Sequence, residues 1–275
     1  IGITGQKGFV GTHLYNSIGL LKNEFELIDY DISFFKNDIK LDEFVAQCDV
    51  IIHLAAMNRH RDPNIIYSTN IKLVEKLIAS FMRTKSNVHL LFSSSLQEEK
   101  DNLYGKSKKD GRILFENWAK KTGNTFTGLI IPNVFGPFGK PLYNSVVATF
   151  SHQISYGETP EIQLDGELKL IYVGELVLEI LNKKKKRKNE SMSRVPHTSK
   201  IKVSKILRLL NKYKTVYQDN GEIPSISNTF ELNLFNTFRC YMDIENHFPV
   251  KLKQHKDSRG SFVEVIRLGV GGQLS

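Results

Sequence analysis

A chain of 275 residues with 40% hydrophobic and 24% charged residues has the composition of a soluble globular protein, with room for one large α/β domain or a main domain and a small appendage. No apolar run approaches the roughly 20 residues that span a bilayer, and the first residues read as a strand without a signal-peptide pattern, so a cytoplasmic location without membrane insertion is expected. Cys48 and Cys240 are too few for a disulfide framework and are not spaced as a metal site; reduced thiols and no bound metal are expected. The net charge of +9 is partly gathered at 183–188, directly after the apolar residues 176–181. This is the pattern of a solvated helix end, where cations are favoured, and no nucleic-acid partner is expected from it.

In chain order, residues 1–4 read as a strand, followed by the turn Gly5-x-x-Gly8-x-x-Gly11 and an amphipathic helix over 10–21. Absent β-carbons allow a tight turn and close backbone approach to a pyrophosphate, and the start of the helix offers free amides and the positive end of its dipole. A second strand over 25–28 ends at Asp29, near the roughly 20-residue spacing at which a carboxylate meets a cofactor ribose. Asp29 welcomes a ribose 2′-hydroxyl and repels a 2′-phosphate, whereas Lys7 pulls the other way.

A third strand over 50–54 leads to a helix over 65–81, and a fourth over 88–93 runs into Ser93-Ser94-Ser95. The next helix, over 104–121, opens with Tyr104-Gly-Lys-Ser-Lys108. Residues i and i+4 share a helix face, so the Tyr104 hydroxyl and the Lys108 ammonium reach one point, where a substrate carbonyl would sit. With the serines just upstream, the pair spells a proton-relay site beside a nucleotide cofactor. A fifth strand covers 126–131. Repeated βα units with apolar strands call for a Rossmann-type α/β fold, a doubly wound parallel sheet with ligands at the carboxyl ends of its strands.

Beyond 131 the pattern is less regular. Residues 132–137 are turn-rich, 144–156 read as a helix, strands at 161–164 and 168–173 are expected to pair through a turn at Asp165-Gly166, and helices are expected over 203–210 and 229–246. The organisation expected is a dinucleotide-binding core at 1–132, a mainly substrate-binding region at 133–248, and a separate segment at 249–275.

Five stretches, Thr4-Gly5-x-x-Gly8-Phe-Val-Gly11, His53-Leu-Ala-Ala56, Ser93-Ser-Ser95, Tyr104-x-x-x-Lys108 and Pro132-Asn133-Val-Phe-Gly136, together resemble the extended short-chain dehydrogenase/reductase family, of the NAD-dependent epimerase/dehydratase type. Members of that family mostly act on nucleotide-sugars. A narrower likeness, carried by the short gap between the serines and Asn102-Leu-Tyr-Gly and by residues 143–150, 235–241 and 257–262, is to the two-domain capsular polysaccharide synthesis reductases. Those enzymes act on UDP-2-acetamido-2,6-dideoxy-hexos-4-ulose.

The resemblance implies that Tyr104, with an ordinary pKa of about 10 and a lysine cation nearby, gives a proton to the C4 carbonyl oxygen. It further implies that Lys108 holds the nicotinamide ribose, that Ser95 or its neighbour Ser94 orients the carbonyl, and that Phe9, Val10, Leu54, Ala55, Ala56 and Pro132 line the cofactor. Asp38 and Ile39 match a pair bordering adenine, Asn133 a contact to the substrate diphosphate, and Asn144 the uridine side. Asn133 serves equally to shape a turn and Asp38 to cap a helix. Dehydratases of the family carry an Asp-Glu pair after the active-site serine or threonine. Here Leu96-Gln97 follow Ser95, which leaves that chemistry without its proton carriers.

The activity implied is NAD(P)H-dependent reduction of a UDP-sugar 4-ketone by a homodimer, with NADH favoured by Asp29 and NADPH by the likeness. The rivals are a nucleotide-sugar C4-epimerase and a non-enzymatic dinucleotide sensor, the latter disfavoured by an intact Ser/Tyr/Lys set. The tail from Asp257 resembles the opening strands of a cupin, truncated and without its metal site. It is expected to pair against the rest of the chain or a neighbouring one and to lack the C3 epimerisation assigned to that domain.

Overall fold

The computed structural model describes residues 1–250, 252 and 254–268, and the backbone of 273–274. The chain divides into two compact units, the first comprising Ile1–Val134 and Val173–His197, the second Phe135–Tyr172 and Thr198–Ser275.

The first unit opens with β1 (Gly2–Thr4), the glycine turn and α1 (Phe9–Gly19), then a 3-10 turn at Ile32–Lys36 and α2 (Asp38–Ala46). Next come β2 (Val50–His53), α3 (Pro63–Thr84), β3 (His89–Ser95), a second 3-10 turn at Leu96–Glu99, α4 (Leu103–Thr122) and β4 (Thr125–Ile131). Helix starts follow cap chemistry: Asn37, Asp62 and Asn102 each accept a backbone N–H from two or three residues ahead, and Pro63 sits at the first position of α3, where its missing N–H costs nothing.

The chain then enters the second unit through β5 (Asn133–Phe135), α5 (Val146–Ser155) and β6 (Glu167–Tyr172), and returns through α6 (Val173–Lys186) and β7 (Glu190–Arg194). That return departs from a single boundary at 132. Its strand, Glu-Ser-Met-Ser-Arg, has no apolar alternation from which to read it. The five strands lie in the order β1-β2-β3-β4-β7 and every pair is parallel. The expected second strand over 25–28 shrinks to one parallel bridge, Gly2 with Ile28, on the other side of β1. The winding therefore changes direction at β1, whose carboxyl end carries the glycine turn. Helices α2, α3 and α4 pack together, as do α1 and α6. Apolar side chains from α2–α4 and the sheet, among them Phe44, Leu77, Phe81, Phe92 and Phe115, form one buried core.

The lysine run belongs to the last turn of α6 and the loop after it. Lys183 pairs with Glu190 at 3.0 Å, Lys185 with Glu24 at 3.6 Å, and Lys184 lies 3.8 Å from the centre of the Phe25 ring.

In the second unit, β5, β6 and β8 (Ser199–Lys202) form a sheet, and α5, α7 (Val203–Tyr213) and α8 (Thr229–Arg239) pack around a core that includes Phe150, Leu210, Tyr213, Leu234 and Phe238. The expected hairpin between 161–164 and 168–173 does not form. Asp165 instead accepts the Ser204 N–H and hydroxyl, both at 2.8 Å, at the start of α7, and β6 pairs antiparallel with β8. The helix expected over 229–246 breaks after Arg239 and resumes as the single turn α9 (Ile244–His247), capped by Asp243.

After β9 (Glu222–Ile223), the tail supplies the hairpin β10 (Gln254–Asp257) and β11 (Gly260–Val263), and β12 (Ile266–Leu268), which runs parallel to β9 and antiparallel to β13 (Gln273–Leu274). The two residues between β11 and β12, Glu264 and Val265, belong to neither strand.

Candidate active site

At the carboxyl end of β1 the backbone turns so tightly that side chains are excluded. Gly5 has φ +79°, and a Cβ on Gly11 would lie 2.1 Å from the Gly5 carbonyl oxygen. Gly8 caps α1 without a side-chain hydrogen bond, and the first turn of that helix holds no acid. Its leading N–H groups are thereby left to an anion, so the residues present suit a dinucleotide pyrophosphate. Phe9 and Val10 are half-buried in the first turn of α1, and Lys7 is exposed.

Sequence spacing marks Asp29 as the ribose acid, and it stands exposed immediately after the Ile28 bridge. The structure adds a second acid. Asp31 accepts from the Ser33 N–H at 2.9 Å, which chiefly holds its carboxyl below the usual range, with a smaller contribution from Lys7 at 3.4 Å. Gln6 ties the same segment down by donating to the Tyr30 carbonyl at 2.7 Å. Asp38 begins α2 but does not cap it, since Asn37 does; Asp38 lies 4.0 Å from both Lys76 and Arg83, and Ile39 beside it is exposed. Leu54, Ala55 and Ala56 follow β2, with Leu54 donating to the Thr4 carbonyl at 3.1 Å.

The proton-relay candidates meet at the carboxyl end of β3. Lys108 is buried, donates to the Ser93 carbonyl at 2.8 Å, and sits 4.9 Å above the Phe92 ring and 5.9 Å from the centre of the Tyr104 ring. Burial pushes its pKa down to about 7, with the Glu98 carboxylate acting in the opposite direction. Tyr104 is half-buried one turn earlier on α4. Ser95 is half-buried and accepts the Gln97 N–H at 3.2 Å at the head of the 3-10 turn. Ser94 faces elsewhere, its hydroxyl donated to Glu98. β-Strand alternation separates the two: Ser93 and Ser95 share one face of β3 and Ser94 takes the other.

Several supports were not legible as functional residues. Asn102 caps α4 through the Gly105 N–H at 2.8 Å and donates to Gln97 at 3.2 Å, fixing the helix against the turn. Gly105 is required there, because a Cβ would lie 1.9 Å from the Gln97 carbonyl oxygen. Buried Asn70 of α3 accepts from Met57 N at 2.7 Å and donates to the Met57 carbonyl and the Ser107 hydroxyl, each at 3.0 Å. A polar residue inside the apolar stripe Ile66, Val74, Leu77 was the available signal. His53 shares a 2.6 Å hydrogen bond with Thr4 and stacks on Phe92. Burial, helped by the Lys108 charge, takes its pKa down to about 3, so it is neutral. Its carbonyl accepts from Ser93 at 3.1 Å.

Residues 1–183 match the model of the NAD dependent epimerase/dehydratase family. The chain belongs to that family. It is 26% identical over 275 residues to the UDP-2-acetamido-2,6-beta-L-arabino-hexul-4-ose reductase of Pseudomonas aeruginosa, covering 99% of this chain and 73% of that one. The crystal structure of the capsular polysaccharide assembling protein CapF from Staphylococcus aureus superposes with a TM-score of 0.81 at 30% identity, again over 99% of this chain and 73% of the other. The RMD protein of P. aeruginosa, solved with NADPH, shares the fold at TM-score 0.72 and 18% identity, over 88% of this chain and 96% of that one. As a member of this family, the chain is an NAD(P)-dependent enzyme.

Pro132 is buried after β4, Asn133 opens β5 exposed, and Asn144 is exposed in the second unit next to Ser145, the cap of α5. Among the described residues, no helix is long and apolar enough to cross a membrane, and no group of three metal-ligating side chains is present.

Proposed function

We propose that this protein uses NAD(P)H to reduce the C4 ketone of a UDP-linked 2-acetamido-2,6-dideoxy-hexos-4-ulose; the P. aeruginosa relative is named as a UDP-2-acetamido-2,6-beta-L-arabino-hexul-4-ose reductase. The observation that carries the reading is the buried Lys108 behind Tyr104 at the carboxyl end of β3, in the same sheet as the glycine turn of β1. The reduced nicotinamide supplies a hydride to the carbonyl carbon. Tyr104 gives its hydroxyl proton to the carbonyl oxygen, and the Lys108 ammonium stabilises the phenolate that remains. Ser95 donates to the same oxygen and fixes its position. The glycine turn and the N-terminus of α1 hold the pyrophosphate, and Asp29 accepts from the adenosine ribose, favouring NADH; titration with both cofactors decides that point, and tighter NADPH binding would assign the stronger pull to Lys7. Asn133 and Asn144 bind the UDP portion of the substrate.

Both acids of the 3-10 turn after Ser95 are held in ion pairs, Glu98 by Arg112 and Glu99 by Arg194, each at 2.8 Å. That supports ketone reduction over water elimination, which needs a mobile acid and base. The same reading takes the enzyme as a cytoplasmic homodimer, for which light scattering on the purified chain is the check. The decisive experiment is steady-state oxidation of NADH and NADPH by the 4-keto sugar nucleotide. One cofactor consumed per sugar reduced supports the reading. Interconversion of 4-hydroxy epimers on retained NAD, without net consumption, would make the protein an epimerase.

A further inference from the structure

Between β5 and α5 the chain passes through residues 136–144, where Phe138 (φ +64°) and Leu142 (φ +55°) occupy the left-handed region without being glycine. Such backbone is unfavourable for a residue with a side chain and persists only where the surroundings hold it. The holding contacts come from the two helices packed beside the segment. Cys240, directly after α8, accepts the Phe138 N–H on its Sγ at 3.1 Å, and Tyr241 donates its hydroxyl to the Gly139 carbonyl at 2.6 Å. Thr149 of α5 accepts the Leu142 N–H at 3.1 Å, and Ser155 at the far end of α5 donates to the Tyr241 carbonyl at 2.7 Å, so this corner and α5 are themselves joined. Gly139 is buried, and a Cβ there would stand 3.2 Å from the Tyr241 hydroxyl oxygen and 3.6 Å from the Ala148 side chain. Two of the stretches that carry the narrower likeness in the sequence, 143–150 and 235–241, therefore meet at this glycine. Burial pushes the Tyr241 pKa up, so its hydroxyl stays a donor.

Joining a strand to a helix does not require this backbone. Phe138 is 78% and Leu142 63% exposed, so burial of their own side chains does little to offset it. The segment ends at Asn144, beside Ser145, whose hydroxyl accepts the Ala148 N–H and starts α5. With its far end fixed by that cap and its middle tied at Phe138, Gly139 and Leu142, the path leading to Asn144 has little freedom. We propose that Cys240 and Tyr241 are positioning residues for the substrate: through their bonds to Phe138 and Gly139 they hold the segment that presents Asn144 to the UDP portion. The role rests on the assignment of Asn144 made above and adds what keeps that side chain in place. Tyr241 acts through the backbone, since it is buried and its hydroxyl is engaged by Gly139. The thiol of Cys240 is a weak acceptor, so the tyrosine carries the larger part.

The test is calorimetric titration of the whole chain with UDP, for the parent, Tyr241→Phe, Asn144→Ala and the double variant, each well below its melting temperature. Tyr241→Phe should weaken UDP binding about tenfold, as Asn144→Ala does, and leave NADH affinity unchanged. In the Asn144→Ala background it should add less than about twofold, because both changes remove one and the same contact. Cys240→Ala, which takes away only the acceptor of the Phe138 N–H, should give a smaller loss in the same direction, and it replaces Tyr241→Phe should that variant not fold. A corner that merely stabilised the second unit would lower the melting temperature and leave the UDP affinity of the folded chain as it was. That result in every folded corner variant, or losses that multiply in the double variant, would overturn the positioning role while leaving ketone reduction untouched. A parent chain that does not bind UDP, or an Asn144→Ala variant that binds it as the parent does, would remove the assignment of Asn144 and this role with it.

Discussion

The first unit and the second unit hold their candidate functional residues in different ways. In the first, backbone and burial leave each group little choice: Gly11 has no room for a β-carbon, Lys108 is enclosed between Phe92 and the Ser93 carbonyl, and Gly105 is pressed on the Gln97 carbonyl. In the second, Asn144 is exposed beside Ser145, the cap of α5. Under the proposed function, the contrast assigns chemistry and cofactor binding to residues fixed by the sheet and the substrate contact to a residue on the surface.

The strongest way to break this contrast is Tyr104→Phe, which keeps the ring against Lys108 and removes only the proton. Turnover should fall about 10²–10⁴-fold with cofactor affinity unchanged. A variant with near-parental kcat would remove Tyr104 from the chemistry.

Lys108→Met sharpens the claim that function, not stability, places a cation in the first unit. The folded-state pKa is about 7, well below that of an unfolded lysine, so between these values the unfolded chain holds more protons and stability rises with pH. Below about pH 7 the charged lysine imposes its full cost. Methionine should therefore abolish ketone reduction yet stabilise the cofactor-free protein by on the order of a few kcal/mol at pH 6, the gain fading toward pH 10. Denaturant melts across that range measure it; an equal effect at both ends would show that packing, not charge, is responsible.

Gly11→Ala probes the turn. The added carbon meets the Gly5 carbonyl oxygen at 2.1 Å, so the turn must open, at a cost of about 1–3 kcal/mol and with a matching loss of dinucleotide affinity. Unfolding curves and cofactor titration together would contradict this if both matched the parent. Asn144→Ala gives the smallest effect: about a tenfold rise in KM for the sugar nucleotide, from one lost hydrogen bond to a charged ligand, with no change in melting temperature. A changed melting temperature with an unchanged KM would reverse the assignment.

Legibility in the sequence follows the same division. The glycine turn, the parallel βα order and the Tyr104/Lys108 pair could be read because each needs a residue type at fixed spacing. The strand ending at Asp29 reads as longer than its single bridge, since apolar residues alone do not set pairing. The return of the chain through β7 was hidden by its polar sequence, and the hairpin expected at Asp165-Gly166 yielded to a helix start that Asp165 serves instead. Glu98 and Arg112 lie 14 residues apart and meet only after the turn folds onto α4, a contact that no local period announces.

The central claim, that a hydride passes to C4 of the sugar while Tyr104 supplies the proton, is tested most directly by isotope transfer. The chain is incubated with nicotinamide cofactor deuterated at its reducing position and the 4-keto sugar nucleotide, and the product is read by NMR. One deuterium at C4, retained in the 4-hydroxy product and absent with Tyr104→Phe, is the predicted result. Product without deuterium at C4, or label at another ring carbon, would contradict the account.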